Sequence, residues 1–108
     1  MSADEQPMAT PRTLSVVGST GSIGLQALEV ARRHPERYRV VALGAHRQVE
    51  VLAAQAAEFR PAKVAVGDPS LASALAGLVP KGTEVLAGPD SMAEVSTCAE
   101  VVLNAVVG

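Results

Sequence analysis

The stretch "LSVVGSTGSIGLQALEVARR", residues 14–33, joins a short apolar segment to a segment with helical periodicity through three glycines spaced three apart. The apolar run 14–17 is typical of a buried strand. A chain that leaves a parallel strand for a helix must turn sharply. Gly18 can adopt the backbone angles of that turn, Gly21 lets the main chain approach a bulky anion, and Gly24 permits close packing of helix on strand.

The start of this helix favours an anionic ligand, because it presents free N–H groups and a partial positive charge. Ser19, Thr20 and Ser22 add hydroxyl donors to the same loop. The spacing G-x-x-G-x-x-G differs from the more general G-x-G-x-x-G pattern, and three glycines can also form a turn with no ligand. Placement between the first strand and the first helix favours a bound dinucleotide pyrophosphate.

The rest of the chain alternates strand-like and helix-like segments. Strands are predicted at 14–17, 38–43, 63–66, 84–88 and 100–107, and helices at 24–33, 49–59, 70–78 and 91–99. This order predicts a doubly wound α/β fold of the Rossmann type, with about five strands in a mostly parallel sheet. Residues 1–12 are predicted to be a disordered tail, and residues 13–108 a single dinucleotide-binding domain.

Composition narrows the classes of partner. Among 108 residues, 48% are hydrophobic and 2% aromatic, so the core must consist of Val, Leu, Ala and Ile. A net charge of -2 provides no basic surface for nucleic acid or an anionic membrane. No run is long enough to span a membrane, no signal peptide is evident, and the lone Cys98 cannot form an internal disulfide. We expect a cytoplasmic protein, with Cys98 as a small buried core residue.

The acidic residues show no metal-ligand spacing. Asp4, Asp68 and Asp90 are scattered over the tail and the turns, and are predicted to be turn or cap residues. His34, at the end of the first helix, most simply complements the helix dipole. No metal site and no catalytic residue are predicted within these 108 residues.

The residues after the second strand indicate which nicotinamide cofactor is bound. An acidic residue there suits the ribose 2′-hydroxyl of NAD, and a basic one the 2′-phosphate of NADP. This chain has His46, Arg47 and Gln48 at that point and no acidic residue. Arg47 provides a forked, charged donor, which favours NADP(H). The alternatives are a solvated surface arginine and, for His46, either a further phosphate donor or a solvent-facing side chain.

Five strings together resemble a known family. They are "GSTGSIG" (18–24), "HPERYRVVAL" (34–43), "AHRQV" (45–49), "PAKVAV" (61–66) and "NAVVG" (104–108). They closely resemble the N-terminal NADPH-binding domain of the 1-deoxy-D-xylulose 5-phosphate reductoisomerases, and the similarity extends over residues 13–108. The unbroken G-S-T-G-S-I-G string, joined to the turn before the second strand, is more specific than a general glycine loop.

The resemblance implies that residues 20–23 contact the cofactor pyrophosphate and adjoining groups. The family's glycine-lysine-asparagine stretch falls on residues 46–48, where all three positions differ and a positive charge is retained at Arg47. The last strand is expected to end near the nicotinamide, with a buried-strand role as the alternative. The predicted cofactor-binding residues are Gly18, Ser19, Thr20, Gly21, Ser22, Ile23, Gly24, Ala45, His46, Arg47, Gln48, Ala105 and Val106.

The resemblance also implies an activity. Such enzymes convert 1-deoxy-D-xylulose 5-phosphate to 2-C-methyl-D-erythritol 4-phosphate in isoprenoid biosynthesis, with NADPH and Mg²⁺ or Mn²⁺. The family's metal, substrate and catalytic residues follow the point that matches Gly108, so we expect an inactive N-terminal fragment of a bacterial homodimer that supplies the cofactor half. Two alternatives are another NADP-dependent reductase, acting on a semialdehyde or cyclic imine, and a free-standing nucleotide-binding module without catalysis.

Overall fold

A parallel five-stranded sheet forms the centre of the fold in the computed structural model, which describes residues 11–105. The strands are β1 (Arg12–Val17), β2 (Tyr38–Ala45), β3 (Lys63–Val66), β4 (Glu84–Ala87) and β5 (Val101–Asn104). The helices are α1 (Ser22–Arg33), α2 (Val49–Phe59), α3 (Ala72–Ala76) and α4 (Ser91–Ser96). All strand pairs are parallel, in the order β4-β3-β2-β1-β5. The predicted alternating α/β fold is confirmed.

Several boundaries differ from the predicted ones. Helix α1 begins at Ser22, two residues earlier than predicted, and β2 extends two residues further, to Ala45. Arg12 belongs to β1 rather than to the predicted tail, because its N–H donates to Arg37 O at 2.9 Å. Strand β5 ends at Asn104, before the predicted end at 107. Residues 1–10 and 106–108 lie outside the described part of the chain.

The predicted third and fourth helices are shorter than their sequence patterns. Residues 69–71 form a 3₁₀ turn, because the Asp68 carboxylate accepts the Ser70 N–H and proline occupies the first position. Helix α3 follows directly and ends at Ala76, before Gly77. Helix α4 ends at Ser96, where the Thr97 and Cys98 N–H groups bond to carbonyls three residues back. The apolar periodicity therefore predicted the existence of these helices but overestimated their length.

The sheet is covered on both faces by small aliphatic side chains, as the composition predicts. Helices α1, α2 and α3 bury one face, where the largest fully buried side chains include Leu28, Leu43 and Leu52. Helix α4 covers the opposite face through Val95, which packs with Val17, Ala42 and Ala65 of the sheet. Cys98 is only half-buried at the edge of this second cluster, so the prediction of a buried core cysteine was wrong. It lies two residues after Ser96, the last residue of α4.

The strand order reverses between β1 and β5. The chain adds β2, β3 and β4 successively on one side of β1, and then returns to place β5 on its other side. The Thr13 N–H donates to Glu100 Oε1 at 3.1 Å, and the Glu100 N–H donates to Thr13 Oγ1 at 2.9 Å, which fixes the start of this pair. In open α/β sheets, ligands bind at the carboxyl ends of the strands where the order reverses. The topology therefore indicates a ligand site at the loop after β1.

Candidate nucleotide-binding site

The loop after β1 turns immediately beside the carboxyl end of β2. Gly18 has a φ of 86°, a backbone conformation that L side chains rarely adopt. Its N–H donates to Gly44 O at 2.7 Å, and the Ser19 N–H donates to the same carbonyl at 2.9 Å. The conformational requirement predicted for Gly18 is therefore confirmed, and the loop is anchored by the neighbouring strand.

Gly24 and Gly21 have different surroundings. A Cβ at Gly24 would lie 2.2 Å from Gly18 O and 2.7 Å from Ser19 Cα, so only glycine fits there. The predicted close packing is found, although the helix packs against the loop backbone rather than against the strand. A Cβ at Gly21 would meet only Gly18 O, at an ordinary 3.7 Å. Gly21 is exposed, so its side facing solvent is open to a ligand.

The N-terminus of α1 is open to an anion. Gly21 is the N-cap, and no side-chain cap bond is present there among residues 11–105, while α1 begins with the exposed residues Ser22 and Ile23. The first N–H groups of an α-helix have no acceptor within the helix, and the helix dipole makes this end positive. The first turn contains no acidic residue to neutralise it. Thr20, which precedes the N-cap, is half-buried.

Ser19 differs from its predicted role as an open hydroxyl donor. Its side chain is fully buried, and its hydroxyl donates to Gln55 Oε1 at 2.7 Å. Gln55 Nε2 in turn donates to Ser19 O at 2.9 Å. The hydroxyl therefore faces α2, and the Gln55 amide is its only hydrogen-bond partner among residues 11–105. Gln55 was missed in the sequence, although its position three residues after the buried Leu52 marks it as a polar residue on an apolar helix face.

The second predicted group follows β2. Ala45 ends that strand with its side chain in the core, so only its backbone can face a ligand, and its carbonyl accepts the Gly67 N–H at 2.9 Å. His46, Arg47 and Gln48 are all exposed. Gln48 is the N-cap of α2 but makes no side-chain cap bond. The His46 imidazole lies against Gly67, where a Cβ would come within 2.5 Å of Nδ1.

Arg47 faces an acidic residue on the next loop. Its Nη1 lies 3.5 Å from Asp68 Oδ2. The Ser70 hydroxyl and N–H bond to the same carboxylate at 2.7 and 3.0 Å, and hold the pKa of Asp68 below its ordinary value, with smaller contributions from Arg47 and His46. Asp68 caps the turn, as predicted, and its pairing with Arg47 was not foreseen. The Arg47 guanidinium therefore lies beside the loop after β3.

The end of β5 lies beside the glycine loop. The Ala105 N–H donates to Val17 O at 2.7 Å, directly before Gly18, and Ala105 is buried. This contact brings Ala105 to the point where the strand order reverses. Val106, the other residue predicted there, lies outside the described residues.

The sequence profile described as 1-deoxy-D-xylulose 5-phosphate reductoisomerase matches residues 14–108. The chain belongs to this family. The reductoisomerase of Nitratidesulfovibrio vulgaris strain DP4 is 47% identical over 112 residues, which cover 100% of this chain and 28% of that protein. The enzyme of Bifidobacterium longum subsp. infantis is 47% identical over 109 residues, covering 94% of this chain and 27% of its own length. The chain thus spans about a quarter of the length of these reductoisomerases.

Solved reductoisomerase structures have the same fold. The Zymomonas mobilis reductoisomerase in complex with NADPH has a TM-score of 0.86 at 36% identity, over 91% of this chain and 26% of that one. A reductoisomerase in complex with NADPH, fosmidomycin and magnesium has a TM-score of 0.78 at 36% identity, over 90% and 25% of the two chains. The family match favours a reductoisomerase over the semialdehyde and cyclic-imine reductases considered above.

The donor groups between residues 11 and 105 do not fit a divalent metal ion. No three His, Cys, Asp or Glu side chains in that range form a cluster. The Asp68 carboxylate, on the loop after β3, is already bonded to Ser70 and faces Arg47. Helices of the described chain are also too short or too polar to cross a membrane.

Proposed function

We propose that this chain binds NADPH and supplies the cofactor-binding part of a reductoisomerase that converts 1-deoxy-D-xylulose 5-phosphate to 2-C-methyl-D-erythritol 4-phosphate. The observation that carries the proposal is the open N-terminus of α1 at the strand-order reversal, with Arg47 at the end of the adjacent β2. NADPH in two solved relatives of the same fold supports it.

The pyrophosphate would lie on the loop between β1 and α1. The exposed Gly21 leaves room for its approach, and the N–H groups of Ser22 and Ile23 at the helix start provide donors. The Ser19 hydroxyl takes no part, because it already donates its hydrogen bond to Gln55 Oε1. Backbone groups rather than hydroxyls therefore dominate this part of the proposed site.

The 2′-phosphate would lie on Arg47. The end of β2 has no carboxylate of its own, and the nearby Asp68 is partnered by Ser70. The Arg47–Asp68 pair is long, at 3.5 Å, and its arginine is exposed, so solvent screens the attraction and the pair contributes little. A phosphate can therefore recruit the guanidinium at little cost. A charge-assisted hydrogen bond of this kind contributes about 1.5–3 kcal/mol, which corresponds to a preference for NADPH over NADH of about tenfold or more.

The cofactor, once bound, supplies the reducing equivalent of the reaction. This chain's residues would hold the nucleotide so that the nicotinamide lies near the carboxyl ends of β1 and β5, beside Ala105. We propose that the Mg²⁺ or Mn²⁺ ligands and the sugar-phosphate site lie in the remaining three quarters of the relatives' length. We further propose a bacterial, cytoplasmic homodimer with no nucleic-acid or membrane partner.

The direct test is a calorimetric titration of the chain with NADPH and, separately, with NADH, after circular dichroism has verified its secondary structure. We expect NADPH to bind, and to bind about tenfold or more tightly than NADH. A folded chain that binds neither nucleotide would overturn the proposed cofactor site. Equal affinities would contradict the assignment of Arg47 to the 2′-phosphate.

A further inference from the structure

We infer that Gln55 is a positioning residue for the cofactor, because it fixes the backbone of the glycine loop from the neighbouring helix α2; this inference rests on the proposed NADPH function. Gln55 is nearly fully buried, and it is the one polar side chain among the buried residues of α2. It does not lie among the residues proposed to contact the nucleotide.

The geometry immobilises Ser19 through all of its polar groups. The Ser19 N–H donates to Gly44 O at 2.9 Å, its hydroxyl donates to Gln55 Oε1 at 2.7 Å, and its carbonyl accepts Gln55 Nε2 at 2.9 Å. The carbonyl can accept only from the NH₂ end of the amide, so the orientation of Gln55 is determined. Ser19 directly precedes Thr20 and Gly21, the start of the proposed pyrophosphate site.

Helix α2 joins the two halves of the proposed site. It begins at Val49, immediately after Arg47 and Gln48, and the Val49 N–H donates to Arg47 O at 2.8 Å. Less than two turns later, Gln55 holds the glycine loop. The distance between the pyrophosphate donors and the 2′-phosphate donor is therefore set by one rigid helix rather than by two independent loops.

The expected effect follows from preorganisation. If the loop samples several conformations, the apparent affinity equals the intrinsic affinity multiplied by the fraction of molecules in the binding-competent conformation. Loss of both Gln55 hydrogen bonds frees the Ser19 hydroxyl and carbonyl, so the loop leaves the binding-competent conformation more often. We expect about tenfold weaker binding of both NADPH and NADH to Gln55→Met, and an unchanged ratio between them, because Arg47 is untouched.

Two further variants separate loop positioning from fold stability. Ser19→Ala removes the hydroxyl but keeps the bond from Gln55 Nε2 to the loop carbonyl, so it should weaken both nucleotides less than Gln55→Met does. In the double variant Ser19→Ala/Gln55→Met, the hydroxyl and its amide acceptor are both absent, which is far less costly to stability than an unpaired buried group. We expect the double variant to regain stability relative to Gln55→Met and to keep its weak binding.

Backbone amide exchange in the absence of nucleotide provides an independent measurement. We expect residues 19–23 to exchange faster in Gln55→Met and in the double variant than in the wild type, with little change in β3. Wild-type affinity and wild-type loop protection in the double variant would overturn the inference. A wild type that binds neither nucleotide would instead contradict the proposed function, while the exchange data would still decide whether Gln55 orders the loop.

Discussion

Replacing Gly24 by alanine should destabilise the fold, although the position is helical. Helix propensity alone favours alanine over glycine by about 0.5–1 kcal/mol. The Cβ, however, would lie 2.2 Å from Gly18 O, 0.8 Å inside the 3.0 Å below which such contacts essentially never occur. The next two atoms, Ser19 Cα and C at 2.7 and 2.9 Å, are also backbone. None of them can rotate away, so relief requires the loop to move.

The size of the effect follows from these opposing contributions. Overpacking a tight site costs about 1–3 kcal/mol, and a clash with backbone belongs at the upper end. The net expectation for Gly24→Ala is a loss of about 2 kcal/mol in the free energy of unfolding, or about 10 °C in Tm. Urea unfolding followed by circular dichroism measures it.

Gly21→Ala is the matched control for this substitution. It lies in the same loop, with φ of −83° at the N-cap and a nearest contact of 3.7 Å for the new Cβ. We expect its stability to stay within about 1 kcal/mol of the wild type. If Gly24→Ala proved as stable as the wild type or more so, the close approach of α1 to the loop would be refuted.

Three further predictions concern the proposed site. Arg47→Asp should weaken NADPH by about tenfold or more in calorimetry and leave NADH nearly unchanged, since it replaces attraction to the 2′-phosphate by repulsion; equal losses would contradict this role. Gly21→Val should abolish nucleotide binding and leave the circular dichroism spectrum intact. Gly77→Val is the control and should bind normally, because a Cβ there also has its nearest contact at 3.7 Å. Retained binding in Gly21→Val would mean that the loop is only structural. The pKa of Asp68 is lowered from its ordinary 3.8, so its contribution to stability is present above that pH and is lost as the pH falls through the lowered value. The free energy of unfolding of Asp68→Asn should therefore fall less steeply in acid than that of the wild type. Parallel plots of unfolding free energy against pH would argue against the bonds from Ser70.

Local sequence patterns predicted most of the fold. Apolar runs bounded by glycine and proline marked the strands, and three-to-four residue spacing marked α1 and α2, because these patterns report which side chains must be buried. The positive φ of Gly18 and the tight space at Gly24 were also predictable, since both follow from a sharp strand-to-helix turn. Helix ends were less predictable, because single capping bonds such as that of Asp68 decide them.

The contacts between distant residues could not be derived from the pattern. Ser19 looks like any loop hydroxyl until α2 brings Gln55, 36 positions away, against it. Likewise, Arg47 meets Asp68 only because β2 and β3 end side by side. A glutamine among the apolar positions of α2 was a visible indication of a buried polar contact, but the sequence did not identify its partner.

The pairing of β1 with β5 has a consequence for how the protein is made. A ribosome delivers residues in chain order, so β2, β3 and β4 exist before residues 101–104. Until β5 emerges, one edge of β1 has unpaired N–H and C=O groups, and its closure joins Thr13 to Glu100, 87 positions away. The strand that presents the glycine loop therefore stays an open edge until residues 101–104 have been made, and the side of Gly18 next to β5 is completed only after β2, β3 and β4.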